Sequence, residues 1–158
     1  MKLALLVGAV GLAACGAPDA TCGPTSGVVQ RAIDGDTIEL TTGERIRYLL
    51  VDTPESVNGA TDCYGEPAHQ LNSDLVAGKT VQLAYDDAGC TDRFDRLLAY
   101  VSVDGVEVNR LLVERGYACV LYIPPAGTDR HVEFENLEAA ARAAGRGMWS
   151  ACTVVTCD

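Results

Sequence analysis

The chain is 158 residues long and carries 22 acidic against 12 basic side chains, a formal net charge of −10. Its length suits one domain with a substantial core and calls for no second. Its charge excludes a long-range pull on polyanions, so a phosphate-rich partner would have to be met by a local positive pocket and by bound cations.

In chain order the first element is a leader. Lys2 is followed by an apolar run over residues 3–14 that is too short to span a bilayer and reads as a secretory signal peptide, residues 1–14. The run ends in Leu12-Ala13-Ala14-Cys15, which resembles the lipobox of bacterial lipoproteins. That resemblance implies a lipidated Cys15 as mature N-terminus, anchored to the cell envelope, and Gly16 behind it favours the outer membrane in a Gram-negative cell. Residues 17–27 are mostly Gly, Pro, Thr, Ser and Ala with little periodicity, and 15–27 read as a tether. The folded domain is expected over residues 28–152, with a short tail at 153–158. Apart from Cys15, the cysteines are Cys22, Cys63, Cys90, Cys119, Cys152 and Cys157, an even set in an exported chain. Three disulfides are expected, with several connectivities open. No Cys-x2-Cys pair is present and the histidines are only His69 and His131, so zinc is not expected.

Short β-branched or aliphatic runs follow at residues 28–33, 37–40 and 46–51, divided by Asp-Gly-Asp and Thr-Gly-Glu turns. Further runs lie at 81–85, 97–103 and 106–108, with Asp104-Gly105 as a hairpin turn. Five or so short strands of this kind suggest a small closed barrel. Helical stretches at 66–77, 109–115 and 132–144 each stop on a glycine: Gly78, Gly116 and Gly145. In the last of them Val132, Leu137, Ala140 and Ala144 can form a stripe toward the barrel, with Glu133, Glu135, Glu138 and Arg142 outward.

Three stretches carry chemistry: Asp34-Gly35-Asp36-Thr37, Arg47 with Asp52-Thr53-Pro54-Glu55, and Thr91-Asp92-Arg93-Phe94-Asp95-Arg96. A hard divalent cation requires several oxygen ligands, and a phosphoryl group gaining charge in a transition state requires positioned guanidinium donors. These stretches supply both. Arg47 precedes Asp52 by an odd number of residues, which on one strand would set the two side chains on opposite faces. A bulge or a strand end must intervene if they act together.

The stretch from Val28 to Cys152 resembles the staphylococcal nuclease family. The matching residues are Ile33 to Thr37, Arg47 to Glu55, Tyr64-Gly65, Arg96-Leu97-Leu98-Ala99-Tyr100, Val108-Asn109, Gly116 and Trp149-Ser150. The resemblance implies an α+β fold, a five-stranded OB-type barrel with about three helices. It implies a monomeric calcium-dependent nuclease acting on DNA and RNA and leaving 3′-phosphate ends. Asp36, Asp52 and the Thr53 carbonyl would hold Ca2+, and Asp34 would orient that set. Glu55 would act as general base, and Arg47 and Arg96 would grip the phosphate as lysine cannot. Tyr122 aligns with a family nucleotide contact, and Arg93 would offset part of the shortage of lysines around the site. The family's tyrosine and glycine before the second arginine are replaced by Phe94 and Asp95, which bears on substrate affinity. Family neighbours suggest the pairs Cys63 with Cys90, Cys119 with Cys152 and Cys22 with Cys157. The rival reading is a non-catalytic OB-fold module that binds oligonucleotides or a protein, favoured by the acidity and by Phe94 and Asp95. The retained Arg47, Glu55, Arg96 and paired aspartates oppose it.

Overall fold

The computed structural model describes residues 22–56, 61–86 and 88–157. The leader and Cys15 lie outside the described residues.

Six strands are formed: β1 (Ser26–Ala32), β2 (Thr37–Leu40), β3 (Arg45–Tyr48), β4 (Thr80–Tyr85), β5 (Leu97–Val103) and β6 (Val106–Glu107). The first five run in the order β3-β2-β1-β4-β5, and β3 returns to pair with β5, closing a mixed barrel. That closure is the parallel pairing, Ile46 opposite Leu97 and Tyr48 opposite Ala99, and the other ladders are antiparallel. The two-residue β6 only extends the far half of the same β5 edge, at Ser102 and Val103. Alternation along the strands sends Ile38, Leu40, Ile46, Val81, Leu83 and Val101 inward to a closed core.

Strand β1 begins earlier than its composition suggests. Ser26 pairs with Gln82, the Thr25 carbonyl accepts the Leu83 N–H at 2.8 Å, and the Pro24 carbonyl accepts the Tyr85 hydroxyl at 2.8 Å. Residues 22–27, expected in the tether, therefore belong to the domain. Their pairing uses backbone groups, so small polar side chains hide it. β3 in turn is shorter than the expected 46–51: it stops at Tyr48 and turns over Leu49 and Leu50.

The helices are α1 (Gly65–Val76), α2 (Val108–Glu114), α3 (His131–Ala143) and a single turn, α4 (Met148–Ala151), which is too short to carry a periodic signal. Gly116, just past α2, has φ +73°, and a Cβ there would lie 2.2 Å from the Arg146 carbonyl oxygen, so both conformation and space require glycine. The apolar face of α3 differs from the expected stripe. Phe134 and Ala141 are buried and Leu137 partly so, whereas Val132, Ala140 and Ala144 are exposed. The aromatic ring decides the orientation: Phe134 packs against Tyr100 at 6.1 Å between centroids, under the Arg130 guanidinium, and an alanine-rich helix offers little to oppose it.

The cysteine set forms three disulfides, but not in the pairing that family neighbours suggested. The pairs are Cys22–Cys90, Cys63–Cys152 and Cys119–Cys157, with Cα separations of 5.0, 5.8 and 6.1 Å. The correction follows from the early start of β1, which carries Cys22 alongside β4 and β5 toward Cys90, and from the last turn, which carries Cys152 to the segment after Glu55.

Candidate active site

The site lies at the end of β3, where the chain leaves the barrel. Leu50 takes φ 60°, a left-handed conformation that ends the strand and folds the next residues back. This is the strand end that the Arg47–Asp52 spacing required. Buried Asn109 fixes the turn: its amide donates to the Leu49 and Ala99 carbonyls at 3.0 and 3.1 Å, and its carbonyl accepts the Val101 N–H at 2.8 Å. Asp52 is then held against Cys119 by two backbone hydrogen bonds of 3.0 and 2.8 Å.

Arg47 sits within this turn with its side chain only 11% exposed. Its guanidinium donates to the Tyr48 carbonyl at 3.2 Å and to the Val51 carbonyl, and bridges Asp36 at 3.2 Å and Asp52 at 2.9 Å. Asp36 is drawn in from the β1–β2 turn. Its Oδ2 accepts the Thr53 N–H and hydroxyl at 2.9 and 3.0 Å, and its Oδ1 accepts the Thr37 hydroxyl at 3.0 Å. Gly35 allows this approach, because a Cβ there would lie 2.6 Å from the Thr53 hydroxyl. Asp34 accepts the Asp36 N–H at 3.0 Å, and its own carbonyl accepts the amide of buried Asn72, which also accepts the Tyr48 hydroxyl at 2.8 Å. Burial, and next to it the Asp36 charge, push the Asp34 carboxyl up to about 7.

Arg96 approaches from the loop before β5. Asp92 organises that loop: its carboxylate accepts the Phe94 and Arg96 N–H groups at 2.8 and 3.0 Å and grips the Arg96 guanidinium at 2.6 and 2.7 Å. Burial alone would raise the Asp92 carboxyl, but the Arg96 side-chain and backbone hydrogen bonds outweigh it and hold it below the usual range. Asp95 takes φ 63° in this loop, a conformation aspartate tolerates where glycine is the easier choice. Arg96 Nη1 reaches the Thr37 hydroxyl at 3.4 Å. A chain of polar contacts thus runs from Arg96 through Thr37 and Asp36 to Arg47 and Asp52.

Glu55 follows Pro54 and lies at the surface. Its backbone is fixed from behind, since its carbonyl accepts the Asp62 N–H at 2.9 Å and Gly65, the first residue of α1, packs onto it so closely that a Cβ would be 2.1 Å from that oxygen. Arg93 stacks over the exposed Phe94 ring at 4.7 Å. Tyr122 is committed to its own neighbourhood: its hydroxyl meets Thr128 at 2.8 Å and its ring stacks on His131 at 4.4 Å. Asp92, Thr37, Asn72 and Asn109 had no role assigned from sequence. For Asp92 the four-residue spacing to Arg96 was the available signal, while the others depend on contacts distant in sequence.

Among the described residues no three His, Cys, Asp or Glu side chains are placed to hold a metal by themselves. A cation here would be shared between the Asp36 and Asp52 carboxylates, the Thr53 carbonyl, water and substrate oxygens. That donor set fits a hard, weakly held cation. The local charge fits as well, because the Asp36 and Asp52 carboxylates share the single Arg47 guanidinium.

A family model described as staphylococcal nuclease homologue matches residues 45–151. Endonuclease YncB of Bacillus subtilis (strain 168) is 39% identical over 133 residues, which cover 81% of this chain and 63% of that protein. SPbeta prophage-derived endonuclease YokF of the same strain is 38% identical over 133 residues, 81% of this chain and 45% of that protein. An uncharacterized endonuclease of Escherichia coli O157:H7 is 36% identical over 133 residues, 82% of this chain and 80% of that protein. The chain thus spans about half to two thirds of the length of the two Bacillus relatives. The closed five-stranded barrel, the arginine and aspartate turn at its mouth, and these matches agree: the chain belongs to the staphylococcal nuclease family.

Proposed function

We propose that this chain is a calcium-dependent nuclease that hydrolyses phosphodiester bonds of DNA and RNA and leaves 3′-phosphate ends. The observation that carries the reading is the polar chain from Arg96 through Thr37 and Asp36 to Arg47 and Asp52, which links two guanidinium groups through Asp36 and sets Asp52 beside the second of them. Endonuclease relatives support the reaction class. Of the five donor hydrogens of Arg47, the Nη1 pair and one on Nη2 are engaged among the described residues, and Nε and the second Nη2 hydrogen are the ones proposed to meet phosphate oxygens. Arg96 keeps Nη1 toward the same place, because Asp92 takes its Nε and Nη2. Between them the two forks hold the scissile phosphate and offset the charge it gains. Glu55, exposed at the rim, accepts the proton of the attacking water, and the 5′-oxygen leaves in line. Calcium, when bound by Asp36, Asp52 and the Thr53 carbonyl, neutralises negative charge and polarises a phosphate oxygen.

The site of action is proposed to be the cell envelope, with Cys15 as lipid anchor; three disulfides in the domain suit an oxidising compartment. Cys15→Ser is expected to move the protein from the membrane fraction to the soluble one, and an unchanged distribution would remove the anchor.

The test of the activity is digestion of heat-denatured DNA by the disulfide-intact protein in calcium or in a chelator, beside Glu55→Gln, followed by analysis of the product ends. Cleavage that needs both calcium and Glu55 is expected. Folded wild-type protein that cuts nothing in calcium would overturn the reading and favour the binding module.

A further inference from the structure

Beside Arg96 the surface opens into a cleft of about 660 Å³ that Arg47 does not line. One wall is the Cys22-Gly23-Pro24 segment, tied to Cys90 by its disulfide and to Tyr85 through the Pro24 carbonyl. Glu44 and Arg45 of the β2–β3 turn line it as well, as do Phe94, Asp95 and Arg96, the last of which also reaches Thr37 in the candidate active site.

Phe94 is 64% exposed in this cleft. The ring is nonetheless held in place: Asp92 accepts the Phe94 N–H, and the guanidinium groups of Arg93 and Arg96 lie 4.7 and 5.4 Å from the ring centre. An exposed ring with guanidinium groups lying over it forms a stacking platform that an unpaired base can join, with little regard to which base it is. Arg45 adds a donor to the cleft. It is 60% exposed and only loosely engaged, its Nε 3.8 Å from Glu39, which Arg31 already holds at 3.0 Å. Glu44 is tied to the Thr42 hydroxyl, and it and Asp95 offset the two arginines of the cleft. Binding there must therefore rest on stacking more than on charge.

We propose that this cleft is a subsite for an unpaired nucleotide flanking the scissile phosphate, with its base on Phe94 and its outer phosphate met by Arg45. The proposal rests on the nuclease reading and deepens it, since Arg96 lines both the cleft and the phosphate site. A duplex cannot use the subsite, because both faces of its bases are covered by stacked neighbours.

The test compares kcat/KM on a single-stranded tetranucleotide with kcat/KM on a nitrophenyl phosphodiester of one nucleoside, in wild type, Phe94→Ala, Phe94→Trp and Arg45→Ala. The ratio of the two cancels effects transmitted through Arg96. Phe94→Ala is expected to lower the ratio about five- to tenfold, the low end for loss of one stacked base, and Phe94→Trp to keep it. Arg45→Ala is expected to lower it less and to weaken its dependence on salt. An unchanged ratio in Phe94→Ala overturns the subsite while leaving the nuclease intact. If wild type cuts neither substrate, the nuclease reading fails by itself, and binding of a fluorophore-labelled tetranucleotide to the Glu55→Gln protein in calcium decides the subsite. Loss of that binding with Phe94→Ala supports it, and no binding by the parent protein, or equal binding by both, overturns it.

Discussion

The two arginines of the candidate site are held by opposite kinds of support. Arg47 is placed by the barrel: it is 11% exposed, lies near the end of β3 just before the left-handed turn at Leu50, and is surrounded by two carboxylates and two carbonyls that Asn109 and the Asp52–Cys119 bridge hold in register. Arg96 is placed by five residues of its own loop: Asp92 grips it from four positions back, and the Cys22–Cys90 disulfide staples the loop's start to the beginning of the domain. A guanidinium embedded in the fold is costly to remove for the whole molecule, whereas one carried by a surface loop can be lost with the fold intact.

The sharpest way to break this comparison is Arg47→Ala. It would leave the part-buried Asp36 and Asp52 without their shared cation, and a loss of about 3–5 kcal/mol of stability in urea unfolding is expected, together with loss of activity. Calcium should return part of that stability. Arg96→Ala is the counterpart: roughly a thousandfold lower kcat is expected, with a stability change below about 1 kcal/mol because its Asp92 pair is near the surface. Equal destabilisation by the two substitutions would refute the distinction. Next in size, Cys22→Ala with Cys90→Ala is expected to lower stability by about 2–4 kcal/mol, read by thermal unfolding, while leaving the Arg47 turn intact. The smallest effect concerns pH. The Asp92 carboxyl is held below its ordinary value in the folded state, so its contribution is present above the unfolded value near 3.8 and is lost as pH falls through the lower, folded value. The stability gap between wild type and Asp92→Asn should accordingly be constant at neutral pH and shrink below about pH 4.

The barrel was legible because its strands alternate apolar and polar residues between strong turns, and that signal is local. The meeting of Arg47 with Asp36 and Asp52 was legible through motif order, and even its requirement for a strand end before Asp52 could be stated in advance. Asp92, Thr37 and Asn72 escaped because their roles depend on which side chains meet across the fold, and a lone Asp or Asn in sequence points nowhere. The disulfide pairing escaped for the same reason: residues 22–27 look like a linker, yet their backbone completes a sheet and delivers Cys22 to Cys90. On α3, alanines at several positions made more than one stripe possible, and only the packing of Phe134 on Tyr100 chose between them.

The three disulfides overlap along the chain, from 22 to 90, from 63 to 152 and from 119 to 157. Every peptide bond from Cys22 to Cys157 is therefore spanned by at least one of them. A protease that severs the backbone once anywhere in that interval releases no fragment: the two pieces stay covalently joined until the thiols are reduced, and the nicked molecule can close again on its own barrel.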